Sequence, residues 1–147
     1  MDRNFTLHTT INKPKAEVFQ AVSDKEYLSQ YFVHKTSGSI TPGETVVWSW
    51  EKWGDHPITV IDVVNNEKIV FTLNSVHWKK SESDSYDVTV TFEFEELNPN
   101  KTMVTVSEQG WKTDSDGYKA SHENCGGWQH MLMCLKGYLE HGVDLRK

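Results

Sequence analysis

From about His122 to His141 the chain carries its strongest periodicity, with apolar residues recurring near the 100° per residue of an α-helix. Asn124, Cys125, Trp128, Met131, Leu132, Leu135 and Leu139 fall on one face; His130, Met133, Gly137, Glu140 and His141 fall on the other. Gly142 stands where a glycine can end a helix. A helix this long with one apolar face must bury that face against another layer. The chain has 147 residues, and a core of that size buries roughly 68–70% of the surface the unfolded chain exposes. One domain spanning 1–147 is therefore expected, and the partner layer must come from the residues before the helix.

Those residues read as strands. Phe5, Leu7, Thr9 and Ile11 alternate with Thr6, His8 and Thr10, the period of two of a half-buried strand. Lys13-Pro14 ends it and opens a short helix carrying Ala16, Val18, Phe19 and Val22. Ser23-Asp24 can cap a second helix, with Tyr27, Leu28, Tyr31 and Phe32 on one face. After Gly38 and Pro42-Gly43 come strand-length runs: Val46 to Trp50, Ile58 to Val64, Lys68 to Ser75, Tyr86 to Glu95 and Thr102 to Glu108. They are separated by Trp53-Gly54-Asp55, Asn65-Asn66, the polar stretch Ser81 to Ser85, and Asn98-Pro99-Asn100, all of turn-forming composition. Short turns between successive strands predict an antiparallel meander. Lys112 to Ser121, polar and containing Gly117, predicts a loop leading into the final helix. The fold class is α+β: a curved antiparallel sheet gripping a long C-terminal helix, with two short helices after strand one.

Charge and sequence bias narrow the partners. A formal net charge of −6 repels polyanions over most of the surface, so nucleic acid is not expected as a partner. The opening ten residues lack a basic segment followed by an apolar run, and no stretch approaches a membrane helix, so membrane insertion is not expected and a cytoplasmic location is. Cys125 and Cys134 would lie about 13 Å apart along one helix, too far to pair. Cys125 falls on the inward edge of that helix near its N-terminus, where the dipole can lower a thiol pKa, but a small buried hydrophobe is the expected role. Among seven histidines none forms a helical i, i+4 pair, so no metal site is expected. Nor is there a glycine-rich phosphate loop or a nucleophile elbow, so neither a catalytic set nor a cofactor is expected.

The tail Gly127-Trp128-Gln129-His130-Met131-Leu132-Met133-Cys134-Leu135-Lys136-Gly137-Tyr138-Leu139-Glu140-His141-Gly142 resembles the ending of activator-of-heat-shock-ATPase homologues in the START-like superfamily. Lys13 to Phe19 is similar to that family's strand-to-helix entry, and Gln30-Tyr31-Phe32 stands where members often carry tryptophan followed by an aromatic. Lys68 to Leu73 and Lys101 to Trp111 are similar to its two central strand signatures. The resemblance implies a helix-grip fold with a deep cavity between sheet and final helix, used by relatives to hold lipids, polyketides or flavonoids. The eukaryotic co-chaperone that gives the group its name has an additional N-terminal domain, and no such domain is expected within these 147 residues.

Parity and this implied cavity single out the candidate residues. Trp48 and Trp50 share a sheet face and Trp128 points from the final helix, so three large rings meet inside, lining a pocket or simply filling the core. Phe32, Phe71, Leu73, Val90, Phe92, Asn124 and Leu132 complete the candidate ligand-binding set. If Val104 and Val106 face inward, Glu108 does too; its carboxylate is then a ligand contact, an acid or base, the partner of a cation or a tryptophan N–H, or solvated near the rim. His34, Trp53, His56 and Trp78 are candidates for the cavity rim, or for packing staples in their loops.

The expected function is capture of an apolar, aromatic or lipid-like small molecule, as monomer or homodimer. One alternative is a stress-related co-chaperone-like interaction domain that meets a heat-shock chaperone through the outer sheet surface or an exposed Met133 and Cys134 side of the last helix. The other is a polyketide cyclase-like enzyme with Glu108 as acid or base.

Overall fold

Alternation of Val88, Val90, Phe92 and Phe94 with polar residues dictates one wet and one dry sheet face, and all four are buried. The computed structural model, which describes residues 2–78 and 84–146, builds that sheet from β1 (Arg3–Ile11), β2 (Lys35–Thr36), β3 (Thr45–Trp50), β4 (Gly54–Val64), β5 (Lys68–Asn74), β6 (Asp87–Asn98) and β7 (Lys101–Gln109). Three helices accompany it: α1 (Lys15–Ser23), α2 (Lys25–Tyr31) and α3 (Ser115–His141). The strand order is β1-β7-β6-β5-β4-β3-β2, with every neighbouring pair antiparallel. The chain's first strand thus lies beside its last, and a bulge between Val60 and Asp62 helps bend the sheet. Strands β1 and β2 bound the sheet, and α3 lies along its dry face. This is the helix-grip architecture expected from the pattern.

The short helices form for local reasons. Pro14 precedes α1 in an extended conformation, and Asp24 caps α2 by accepting from the Glu26 N–H at 2.8 Å. Tyr31, fully buried at the end of α2, stacks on Tyr138 of α3 at 5.6 Å and donates its hydroxyl to the Ala21 carbonyl at 2.8 Å. Burial pushes its phenol well above the ordinary value. The two short helices are thereby tied both to each other and to α3.

Several boundaries differ from the sequence reading. The loop expected from Lys112 to Ser121 is helical from Ser115 onward. Asp114 caps that helix, its Oδ1 accepting from Gly117 N–H at 2.7 Å, and a Cβ at Gly117 would collide with the Lys112 carbonyl. Gly117 therefore marks close backbone approach within a first helical turn, not a break. Strand β4 begins at Gly54, earlier than expected, because Gly54 takes a φ of 76° and pairs back with Trp50. Asn98 ends β6, so the following turn is confined to Pro99-Asn100. The turn expected over residues 81–85 lies, for 81–83, outside the described residues.

The far side of α3 also differs. Met133 is exposed, but Cys134 and Gly137 are buried, so the exposed Met133 and Cys134 surface does not exist as expected. The chain folds back after Gly142, whose φ of 66° ends the helix and lets the Val143 N–H reach the Gly137 carbonyl. Leu145 then packs over Gly137, while the Arg146 guanidinium donates to the carbonyls of Val33, Gln30 and Ser29 at 2.8, 2.9 and 3.2 Å. Burial raises the Cys134 thiol pKa. Cys125, half-buried, sits mid-helix, beyond the first turn over which a helix dipole acts. Both cysteines are free. Among the described residues no helix is long and apolar enough to cross a membrane.

Candidate functional site

Aromatic rings on four elements converge between the sheet and α3. Strand β3 contributes Trp48 and Trp50, β5 contributes Phe71, the end of α2 contributes Phe32, and α3 contributes Trp128. Ring centroids lie 5.2 Å apart for Phe32 with Trp48, 5.4 Å for Trp48 with Phe71, 5.9 Å for Phe32 with Trp128, and 6.5 Å for Trp48 with Trp128. Most of these pairs meet edge to face, the arrangement the ring quadrupole favours. They enclose the inner end of a cavity of about 580 Å³, a size typical of small-molecule sites. The three tryptophans that parity placed on the inside do meet there.

The wall continues outward to an aromatic and charged mouth. Trp50 meets His56 at 5.5 Å and Trp53 at 6.2 Å; His56 meets Trp78 at 5.9 Å and His77 at 4.9 Å. Opposite them α3 supplies Asp116, Lys119, Ala120, Glu123, Asn124 and Gly127 to the lining. Burial, and secondarily the neighbouring His56, hold the His77 imidazole below the ordinary histidine pKa, so it favours the neutral form. A second hollow of about 670 Å³ is more open and carries Lys15, Glu67, Lys68, Glu93, Glu95 and Glu96, with Lys15 ion-paired to Glu67. Val64 and Phe94 are its apolar lining residues, and charged side chains make up most of the rest.

Behind the cavity lies Glu108, on the inward face that parity gives it and fully buried. Its Oε1 accepts from Trp111 Nε1 at 2.6 Å; its Oε2 accepts from Asn124 Nδ2 at 2.6 Å and from Trp128 Nε1 at 2.5 Å. Burial drives its pKa up, and these three donors pull against that, leaving it above the usual carboxylate value. Both oxygens are engaged by the protein, so the carboxylate orients two cavity residues, Asn124 and Trp128, from behind. Trp50 is fixed in a similar way, its Nε1 donating to the Phe32 carbonyl at 2.8 Å.

Of the residues singled out from sequence, Phe32, Trp48, Trp50, Phe71, Leu73, Asn124 and Trp128 line the cavity, as do Trp53, His56 and Trp78 at its rim. Val90, Phe92, Glu108 and Leu132 are buried outside that lining. His34 lies apart from the lining, 3.7 Å from Glu51. Sequence reasoning misses Asp116, Lys119 and Ala120, because the first turns of α3 read as loop, and it misses Glu123, which falls within the expected helix but carries no apolar signal. The capping aspartate Asp114 three residues before Gly117 was the available signal. His77 was also missed. Among the described residues no three His, Cys, Asp or Glu side chains gather as a metal-ligand set.

The sequence matches the family model described as activator of Hsp90 ATPase homolog 1-like protein over residues 12–140. The chain belongs to that family. No curated protein sequence matches it significantly. Among solved structures it is similar to a protein of Staphylococcus saprophyticus, 28% identical, with a TM-score of 0.73, covering 97% of this chain and 96% of that one. The Aha1 dimer from Colwellia psychrerythraea superposes with a TM-score of 0.76 at 19% identity, covering 97% of this chain and 98% of that one. CalU16 from Micromonospora echinospora does so with 0.68 at 15% identity, covering 91% and 72%. At such identities the last two likenesses concern the fold.

Proposed function

We propose that this member of the family is a binding module for a flat, largely apolar small molecule, held between β3, β5 and α3. The observation that carries the reading is the cavity of about 580 Å³ walled by Phe32, Trp48, Trp50, Phe71 and Trp128. Stacked and edge-on rings offer dispersion and area to a planar guest. The mouth, where Trp53 is 63% exposed beside the His56 and His77 imidazoles, offers an entry. Glu108 serves this site as a positioning residue, because both its oxygens already hold Trp111, Asn124 and Trp128.

A thermal-shift screen of flat aromatics, flavonoids and fatty acids, with tryptophan emission read in parallel, tests the proposal. A ligand that binds only the folded state raises the melting temperature by mass action and saturably. At a hundredfold excess over Kd the stabilisation is about 2.7 kcal/mol. Saturable shifts with quenching by planar apolar compounds are expected. A flat response throughout overturns the reading and moves the function to the outer surface of the sheet.

A further inference from the structure

Among the described residues one buried side-chain polar atom has no hydrogen-bond partner, and it belongs to a residue that lines the cavity. Three tryptophans near the site have firm acceptors: Trp50 Nε1 donates to the Phe32 carbonyl, and Trp111 and Trp128 donate to opposite oxygens of Glu108. Trp48 is only 3% exposed, and its Nε1 has no hydrogen-bond partner among the described residues. Its ring neighbours Phe32, Trp50, Phe71 and Trp128 present aromatic surfaces, with centroids 5.2 to 6.5 Å away. A ring face is a weak acceptor for an N–H. Buried donors are nearly always paired in native proteins, and an orphan on a cavity wall calls for a functional account.

We infer that Trp48 Nε1–H is the specificity-determining donor of the site, and that the guest is a planar molecule carrying a neutral acceptor oxygen, such as an aromatic ketone or quinone carbonyl. This rests on the proposed binding function. Neutral carbonyls fit better than carboxylates for two reasons. An ion would have to shed its water among apolar rings, and Asp116 and Glu123 flank Lys119 at the mouth of a chain with net charge −6. A guest's hydroxyl proton would not be received by Glu108, whose oxygens already accept three N–H bonds. The open requirement is for an acceptor.

Fluorene and 9-fluorenone share a planar tricyclic frame and differ by one carbonyl oxygen. Their affinities for the wild-type protein and for Trp48→Phe are measured by calorimetry, and the indole N–H resonances by nitrogen-15 NMR. Trp48 is assigned by its absence from the variant or, if the variant does not fold, by its nuclear Overhauser contacts to Phe32 and Phe71. Fluorenone is expected to bind wild type about three- to tenfold more tightly than fluorene, the worth of one neutral hydrogen bond. It should also carry the Trp48 indole proton downfield relative to the fluorene complex, and Trp48→Phe should equalise the two affinities. Fluorene and fluorenone binding equally, with the Trp48 resonance alike in both complexes, overturns the donor role and leaves the cavity reading standing. A preference that survives in Trp48→Phe overturns the assignment to this residue. Failure of both compounds to bind overturns both readings.

Discussion

Replacing Glu108 should be among the most damaging single changes in this chain, and the size of the effect follows from its partners. Glu108→Ala strips the acceptors from Trp111 Nε1, Asn124 Nδ2 and Trp128 Nε1, and opens a void. Each buried donor left unmet costs about 1–3 kcal/mol. The losses do not add fully, since Asn124 is only half-buried and can turn to solvent, so a total of about 3–5 kcal/mol is expected. Glu108→Gln keeps the shape and one acceptor oxygen. With that oxygen facing Asn124 and Trp128, its amide meets the Trp111 N–H donor to donor, at a cost of about 2–3 kcal/mol. That corresponds to a fall in melting temperature of roughly 4–12 °C for a domain of this size. Urea unfolding followed by far-ultraviolet circular dichroism measures both variants without relying on the perturbed tryptophans. A Glu108→Gln midpoint within about 0.5 kcal/mol of wild type refutes the clamp.

The same residue has a pH signature. Its folded pKa lies above its unfolded value, chiefly through burial. Between those two values the folded state holds a proton that the unfolded state has lost. Its contribution is therefore complete below the unfolded pKa and is lost as pH rises toward the folded one. The stability deficit of Glu108→Gln should accordingly narrow as pH rises from about 4.5. A deficit that widens over that range contradicts an upward shift of the Glu108 pKa.

Other perturbations reach separate parts of the molecule. Gly117→Ala should destabilise by about 2 kcal/mol or more, because its Cβ meets the Lys112 carbonyl, and urea midpoints check this. Arg146→Ala frees the C-terminal segment from the carbonyls at the end of α2, costing about 1 kcal/mol and speeding amide exchange around Phe32. His77 has a folded pKa below its unfolded value, so its contribution is present above about 6.5 and is lost as pH falls through the folded pKa. His77→Gln should flatten that part of the stability profile, and an unchanged profile counts against the shift.

Much of the fold was legible because burial and periodicity agree. Val88, Val90, Phe92 and Phe94 alternate without a fault, and the parity that carries Val104 and Val106 inward brings Glu108 with them. Parity gives the face of a residue and not its depth. Val90 and Phe92 therefore share the sheet face of the cavity yet lie in the core outside its lining, as does Leu132 on α3. The start of α3 was hidden because Gly117 has the composition of a loop while serving a close approach. The latch of Leu145 and Arg146 was hidden because so short a tail has no period to read, and Val143 and Leu145 of that tail pack over Gly137 on the side read as exposed.

If the aromatic cavity is the binding site, filling it blocks the ligand, and Gly127 offers a direct test. It lines the cavity, and a Cβ placed there meets nothing within 4 Å. A side chain can therefore start there without a Cβ clash, and the Gly127→Phe ring should narrow the cavity, while a better helix former replaces glycine. The decisive measurement is a tryptophan-quenching titration of the strongest compound from the thermal-shift screen into wild type and Gly127→Phe. Saturable binding to wild type is expected, weakened at least about tenfold in a variant whose unliganded melting temperature is unchanged or higher, a loss of roughly 1.4 kcal/mol or more. Equal affinity for the two proteins would place the ligand elsewhere and contradict the cavity reading.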